Sequence, residues 1–273
     1  YREAVKDGVL YWNQVFGREV IKISELPENI GPHEPGYNIV QWLDWDKAGM
    51  AYANMSADPY SGKNLQSNIY MTSVFGKGGI RKAKDYLKRL IANNSKIENL
   101  SLSKTVATPL KGFQKTETCE YESEKAIIDD APKLLDLTKN LTDDESNKIF
   151  TRYAQDYVRN VVAHEIGHTF GLRHNFAGSL ASNITPKIYD TVSRIYFLTG
   201  EILPGFNMAS TVMDYTPTMV ASMIGANIRL KRGALPYDKQ AINWGYNESD
   251  IDSMTAVFCT DTDRDLTADC KIW

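Results

Sequence analysis

The sequence predicts an α+β fold, in which a small sheet lies between helices that come before and after it in the chain. Three observations predict this class. Short strand-like runs are concentrated in residues 38–75, and helical patterns stand on both sides of them. A long helical segment then runs from about residue 143 to residue 170 without an internal proline.

The first elements are predicted by local patterns. Residues 3–16 carry apolar side chains near helical spacing, and Gly17 ends that pattern. A short β-branched run follows at residues 20–23, before a loop rich in proline and glycine. Strand-like patterns then occupy residues 38–45, 50–57 and 65–75. A turn at Asp58–Gly62 makes the last two of these strands a hairpin.

The middle of the chain is less regular. The glycines of residues 76–79 are expected to break the pattern, and residues 81–93 then predict a basic amphipathic helix. Residues 94–126 are polar and aperiodic, so we expect a surface insertion that contains Cys119. A helical pattern resumes at residues 132–139.

The long helix has the clearest start of any element. Thr142 is suited to cap its N-terminus, and Glu145 stands three positions later, where a capping box needs it. Gly171 is expected to end this helix, because glycine readily adopts the left-handed conformation of a helix C-terminus. After Gly171 we expect mainly loops, followed by a compact helix at residues 237–244.

Bulk composition excludes some classes of partner. The chain has 273 residues, of which 42 % are hydrophobic, and its net charge is −3. That charge does not favour nucleic acid or an anionic membrane as a partner. No apolar run approaches the ~18 residues of a membrane span, so no transmembrane segment is expected. The three cysteines are too few for a disulfide framework.

Three of the four histidines fall within residues 164–174, whose sequence is HEIGHTFGLRH. Residues four apart lie on one face of a helix, so His164 and His168 can present two imidazoles to one ion. A turn after the helix can bring His174 back as the third ligand. Two ordinary helix histidines are the alternative interpretation. The concentration of three histidines in one short segment favours a single zinc ion.

Glu165 stands next to the first of these histidines, beside the predicted metal and not on it. A base that takes a proton from zinc-bound water must stand in such a place. Three protein ligands leave one coordination position open, which distinguishes a catalytic zinc from a structural one. A purely structural site would have no use for this carboxylate.

The segment resembles the signature of the metzincin zinc peptidases, H-E-x-x-H-x-x-G-x-x-H followed by a methionine-containing turn. Residues 210–215 resemble that turn, with Met213 39 residues after His174. The resemblance implies a zincin-like fold with a twisted mixed sheet, a long active-site helix and an irregular lower subdomain. It divides the chain into an upper subdomain (residues 1–171) and a lower one (residues 172–258).

The resemblance also implies roles for individual residues. Met213 would form an apolar floor under the histidines, although a lone methionine is equally typical of core packing. Tyr215 would reach the metal and stabilise an oxyanion; the alternative is a buried tyrosine with a hydrogen-bonded hydroxyl. Asn175, directly after the third ligand, matches none of the best-known branches.

Substrate recognition is expected at a strand edge above the zinc, where an extended peptide adds to the sheet. The residues predicted for this edge are Ala51, Tyr52, Ala53 and Asn54, and an ordinary buried strand pair is the alternative. The pocket that sets specificity is expected between His174 and Met213 and just after Tyr215.

Most of the chain resembles the metallopeptidase A subunit of cholera-like bacterial AB-type enterotoxins. Besides the zinc segment and the methionine turn, Trp12–Asn13 and the Asp58–Pro59 hairpin carry this resemblance. It implies a secreted bacterial endopeptidase that is delivered to host cells with a pentameric B-type binding subunit. The alternative is a free-standing secreted metzincin peptidase without such a partner.

Cys259 and Cys270 flank a polar loop with Arg264 near its middle. A disulfide would close residues 259–273 into a tail, and after cleavage at Arg264 it would tether the downstream piece, as AB toxins do. Two alternatives remain open. Alternating acidic residues indicate calcium, although the glycine and the final glutamate of a calcium loop are missing. A solvated acidic loop is the other alternative.

Overall fold

A computed structural model describes residues 1–45, 47, 49–97, 141–247 and 257–262, without side chains for residues 93–97 and 187. The helices in these ranges are α1 (Arg2–Phe16), α2 (Ser73–Ile97), α3 (Asp143–Thr169), α4 (Pro186–Thr199), α5 (Thr218–Arg229) and α6 (Pro236–Tyr246). The strands are β1 (Asn38–Leu43), β2 (Ala51–Ala57) and β3 (Asn64–Thr72). A short 3₁₀-helix spans Gly178–Ala181.

The three strands form one mixed sheet in the order β1-β3-β2. β1 runs parallel to β3, with Asn38 opposite Ser67, and β2 runs antiparallel to β3, with Ala51 opposite Met71. Within the described residues, β2 is therefore an edge strand, and one side of it pairs with no other strand. β2 lies against α3, and Ala53 bonds to Glu165 near the C-terminal end of that helix.

The core is built around α3, which contacts α1, α2 and α5 as well as the sheet. Trp12 of α1 is fully buried, and its indole N–H donates a hydrogen bond to the carbonyl of Ala163 in α3 at 2.9 Å. Ile69 and Met71 of β3 are buried in the same cluster as Val162 of α3. Because packed neighbours surround α3 on several faces, its functional side chains are held rigidly.

The start of α3 confirms the predicted capping box. The Thr142 hydroxyl accepts a hydrogen bond from the Glu145 backbone N–H at 3.2 Å, and the Glu145 carboxylate accepts one from the Thr142 backbone N–H at 2.8 Å. At the other end the helix stops at Thr169, and Gly171 adopts φ +79°, as predicted for a glycine that ends a helix. Both ends of α3 are set by local sequence.

The prediction that residues 76–79 separate the last strand from a helix at residues 81–93 is wrong, because β3 ends at Thr72 and α2 begins at Ser73 and passes through these glycines. Two of them, Gly76 and Gly79, lie at close contacts with other parts of the chain, whereas Gly78 is open. A Cβ atom on Gly79 would lie 2.9 Å from the Cα atom of Ala154 in α3, and one on Gly76 would collide with the ring of Tyr1. Glycine here allows close packing, which outweighs its low helix propensity.

The β-branched run at residues 20–23 forms no strand. Its backbone groups bond instead to the side chain of Asn13. The Asn13 amide oxygen accepts hydrogen bonds from the N–H groups of Val20 and Ile21, and its NH₂ donates to the Ile21 carbonyl at 2.9 Å. A side chain of α1 therefore takes the backbone hydrogen bonds that a partner strand would need.

The prediction that mainly loops follow Gly171 is wrong, because helices α4 and α5 lie in this stretch. Pro186 occupies the first turn of α4, and Gly200 caps its C-terminus with φ +81°. Pro217 stands just before α5. These residues mark helix ends, where proline and glycine are favoured, and not loops.

Several predictions fall outside the described residues: those for Cys119, for the helix at 132–139 and for the tail from residue 263 onward. The division into subdomains at residues 171 and 258 remains a prediction. None of the described helices has both the length and the apolar character needed to cross a membrane.

Candidate metal centre and active site

Three histidines converge at the C-terminal end of α3. His164 and His168 project from the same face of the helix, and the turn at Gly171 brings His174 to them. One ring nitrogen from each lies within 4.8 Å of the others. The described part of the chain contains no other group of three potential metal-binding side chains. The structure thus brings together the three residues predicted as ligands.

Hydrogen bonds set which nitrogen of each ring is free. The Nδ1 atoms of His164 and His168 lie 2.8 Å from the carbonyl oxygens of Val212 and Leu172. A carbonyl can only accept, so each Nδ1 carries the proton and each Nε2 keeps a lone pair. The third ring has its Nδ1 3.4 Å from a carboxylate oxygen of Asp261.

The free nitrogens fit a metal ion. The Nε2 atoms of His164 and His168 are 3.2 Å apart and both present lone pairs, an arrangement that needs a cation between them. The Nε2 atom of His174 is buried and has no hydrogen-bond partner. Three imidazole nitrogens are a donor set that suits zinc. The residues present therefore fit a catalytic zinc site with three protein ligands.

Burial keeps the histidines in the form that binds metal. Removal from water lowers the pKa of His164 to about 3, helped by the neighbouring His168, and burial also lowers the pKa of His168. Both imidazoles are therefore neutral at physiological pH. A neutral ring is required for coordination, so these two ligands need no deprotonation to accept a metal.

Glu165 is buried on α3 directly beside the histidines. Desolvation raises the pKa of its carboxyl to about 7, although a hydrogen bond from the backbone N–H of Ala53 opposes the shift. A carboxyl that titrates near neutrality can both accept and return a proton. The structure thus places a buried carboxyl with a raised pKa directly beside the histidines.

Part of the predicted substrate strand reaches this site. Residues 51–54 lie in β2, and Ala53 bonds to Glu165. Ala51 lines a cavity that also touches Glu165. Tyr52, by contrast, is exposed and stacks on Tyr70 of β3. The edge is therefore placed beside the functional residues, while its role in binding a peptide stays a prediction.

Met213 is fully buried and packs against Gly167, which lies between the first two histidines. A Cβ atom on Gly167 would overlap the Met213 sulfur and would lie 2.8 Å from the ring of Trp12. The methionine therefore lies where an apolar support for the histidines is expected, and glycine at 167 is needed for this contact.

Tyr215 is 57 % exposed, so it is not the buried tyrosine of the alternative interpretation. Its ring centroid lies 4.5 Å from that of His174 and 5.4 Å from that of His164. Partial burial raises the pKa of its hydroxyl, and the negative charge of Glu165 adds to this effect. The hydroxyl therefore stays protonated and can donate a hydrogen bond.

A cavity of about 330 Å³ opens beside the histidines. Its walls come from α3, from the start of β2 and from the segment after Met213, including Asn160, Met50 and Thr216. Thr216, just after Tyr215, lines this cavity, whereas no residue between His174 and Met213 does. Which residues form the pocket that sets specificity stays a prediction.

Two sets of supporting residues carry no signal in the sequence that marks them as part of the site. Asp238 accepts hydrogen bonds from the Tyr11 hydroxyl and from the backbone N–H of Val212. Asn175 joins the segment after the third histidine to residues 257–259. Only the mismatch of Asn175 with known metzincin branches had drawn attention to one of these positions.

Cys259 is buried against Phe176 and Ala177. Cys270 lies outside the described residues, so the bond between these two cysteines stays a prediction. Asp261, one of the acidic residues considered for calcium, lies near His174 and Arg173. Its predicted companions Asp263 and Asp265 are outside the described residues.

The mixed sheet, together with the long helix that carries two histidines of the site, confirms the predicted α+β, zincin-like fold. Residues 146–256 match a family model described as Met-zincin. The match covers less than half of the chain and includes all three histidines and Met213. It supports a metzincin family and implies, in general, zinc metallopeptidase activity on a protein or peptide. No curated protein and no solved structure matches the chain.

Proposed function

We propose that this protein is a zinc endopeptidase in which Glu165 is the general base and Tyr215 stabilises the oxyanion. The observation that carries this proposal is the convergence of three Nε2 atoms next to a buried carboxyl. Desolvation raises the pKa of that carboxyl, on Glu165, to about 7. Neither a structural metal site nor a helix surface needs a buried carboxyl with this property.

The chemistry divides between the metal and the side chains. Zinc, when bound, supplies a Lewis acid and lowers the pKa of water toward ~7. Glu165 accepts the proton of the attacking water and then delivers it to the leaving amine. The hydroxyl of Tyr215 donates a hydrogen bond to the oxygen on which negative charge develops.

Substrate binding is proposed at the edge of β2. An extended peptide would add to the sheet along residues 51–54 and place its scissile carbonyl near Glu165. The adjoining cavity would take a side chain next to the scissile bond. Three observations support this arrangement. β2 lies at the edge of the sheet, Ala53 contacts Glu165, and the cavity is continuous with the site.

The test compares Glu165→Gln with the wild type, using a peptide library and elemental analysis for zinc. We expect kcat/KM to fall about 100- to 10,000-fold, with one zinc ion still bound, because only the proton acceptor is lost. The exposed variant Glu28→Gln is the matched control. Wild-type turnover in Glu165→Gln would refute the assignment of the base.

A second variant tests the metal. His168→Ala removes one of three ligands and should abolish stoichiometric binding of zinc.

Tyr215→Phe tests the oxyanion role, because it keeps the aromatic contacts with the histidines but removes the hydroxyl. It should lower kcat without releasing zinc, and an unchanged kcat would exclude a role in stabilising the oxyanion.

Secretion, delivery to host cells and a pentameric B-type partner remain part of the proposal, and so does the free-standing peptidase as the alternative. The family match carries no link to AB-type toxins. Co-purification of a smaller subunit at a fixed ratio of five to one would favour the toxin, whereas a monomeric, active chain would favour the free-standing enzyme.

A further inference from the structure

The last described segment of the chain, residues 257–262, lies against the third histidine. The backbone N–H of Phe176 donates a hydrogen bond to the carbonyl of Cys259 at 2.7 Å. We call residues 257–261 the docking segment. It is separated from His174 by more than eighty positions in sequence, so only tertiary contacts hold it there.

The side chain of Asn175 holds the docking segment in place by hydrogen bonds. Its side-chain NH₂ donates to the carbonyl of Val257 at 3.1 Å, and its amide oxygen accepts from the N–H of Cys259 at 3.0 Å. The residue is fully buried, and its backbone N–H donates to the carbonyl of Met213 at 3.0 Å. This residue therefore joins the third ligand, the methionine turn and the docking segment.

Docking brings Asp261 to the metal site. Its carboxylate lies 3.4 Å from Nδ1 of His174 and 3.7 Å from the guanidinium of Arg173. The other two histidines donate from Nδ1 to main-chain carbonyls, whereas this ring faces a carboxylate from a separate segment. A carboxylate partner fixes the ring orientation and makes the opposite nitrogen a better metal ligand.

The negative charge also acts on the neighbouring groups. Asp261 interacts electrostatically with His168 and Tyr215 as well as with His174. An anionic group next to the three imidazole rings favours a divalent cation. By contrast, a simple ion pair between half-exposed Asp261 and Arg173 would contribute little and would not affect a metal.

We propose that Asp261 is a positioning residue for His174, and that Asn175 docks residues 257–261 so that zinc affinity depends on the C-terminal part of the chain. This inference rests on the proposed zinc site. It does not depend on which bond the enzyme cleaves or on Glu165 as the base.

The test is the zinc dissociation constant, measured by competition with a chelator. Asp261→Asn keeps the shape of the side chain but removes its charge, so we expect about 10-fold weaker zinc binding. The melting temperature of the zinc-free protein should not change. Glu201→Gln, which removes an ion pair of similar length and exposure with Arg232, is the matched control and should bind zinc as the wild type does.

Arg173→Gln distinguishes the proposal from the ion pair, because it removes the pair while leaving Asp261 beside His174. It should not weaken zinc binding. If Arg173→Gln and Asp261→Asn weaken binding equally, or if Asp261→Asn binds as tightly as the wild type, the positioning role is refuted.

Asn175→Ala tests the docking. We expect faster hydrogen exchange at residues 257–261 and weaker zinc binding, and little further loss when Asp261→Asn is added, because both changes remove the same contact. Fully additive losses would show that Asn175 and Asp261 act separately. These outcomes can be told apart from a failure of the proposed function. Wild-type protein that binds no zinc would contradict both the proposed function and the role of Asp261. An active Glu165→Gln variant would contradict only the proposed base.

Discussion

The hydroxyl of Tyr11 donates a hydrogen bond to the carboxylate of Asp238 at 2.6 Å, and both side chains are buried. This bond links α1 to α6, near opposite ends of the described chain. Asp238 also accepts from the backbone N–H of Val212 at 3.1 Å, and the carbonyl of Val212 accepts the Nδ1 proton of His164 at 2.8 Å. One chain of hydrogen bonds therefore runs from the N-terminal helix to a proposed metal ligand.

Tyr11→Phe should destabilise the protein by roughly 1–3 kcal/mol. The change removes a donor to Asp238 and leaves the N–H of Leu235, which donates to the Tyr11 hydroxyl, without its partner. Denaturant unfolding of the zinc-free protein measures the effect. Tyr60→Phe, at a fully exposed tyrosine, is the control and should leave the stability unchanged. Equal stabilities of the two variants would contradict the network.

The carboxyl of Asp238 should make stability depend on pH. Burial raises its pKa from 3.8 to about 6, although hydrogen bonds from Thr211, Tyr11 and Val212 oppose this shift. The folded state therefore binds this proton more tightly than the unfolded state does. Its contribution to stability is present below pH 4 and is lost as the pH rises through 6.

The measurement compares the wild type with Asp238→Asn by denaturant unfolding of zinc-free protein at several pH values. Replacing Asp238 by asparagine removes one hydrogen-bond acceptor, so the variant is less stable than the wild type at every pH. Its deficit should be larger at pH 4 than at pH 7, by on the order of 3 kcal/mol for a shift of about two pKa units. A deficit that grows as the pH rises would show that the sign is wrong.

Gly167→Ala should destabilise the protein even though alanine favours helices by about 1 kcal/mol. The added Cβ atom would overlap the Met213 sulfur and press on Trp12. We expect a net loss of roughly 1–3 kcal/mol from overpacking, together with weaker zinc binding. The control is Gly78→Ala in α2, where no atom lies within 4 Å of the new Cβ and a gain in stability is expected.

The cavity beside the site should prefer a substrate side chain that donates a hydrogen bond. Asn160 lines the cavity, and its amide oxygen is buried without a partner. Asn160→Leu should shift the cleavage preference of a peptide library by about 10-fold toward apolar side chains, since an unpaired buried polar atom costs roughly 1–3 kcal/mol. Asn243→Leu, on the exposed side of α6, should leave the profile unchanged.

Much of the metal centre could be predicted because its determinants are local. The capping box at Thr142 depends on residues three positions apart, and the shared face of His164 and His168 depends on helical spacing. Gly171 allows the turn that brings in the third histidine. The strands were also located within a few residues, because their side-chain patterns and the intervening turn are local signals.

Other features depend on contacts between distant parts of the chain. Gly79 of α2 resembles a helix breaker until α3 is seen packed against it. Asn13 takes the hydrogen bonds of residues 20–21, which as a sequence resemble a strand. No spacing rule connects Tyr11 with Asp238 or Asn175 with Val257, because each pair meets only after the chain has folded.

The sequence by itself determined which residues can bind a metal and which carboxyl stands beside it, because one helix and one turn carry them all. Only the tertiary structure decided which nitrogen of each imidazole is free and how strongly Glu165 holds its proton. Those properties come from burial and from hydrogen-bond partners such as Val212, Leu172 and Ala53. Residues distant in sequence supply most of that environment.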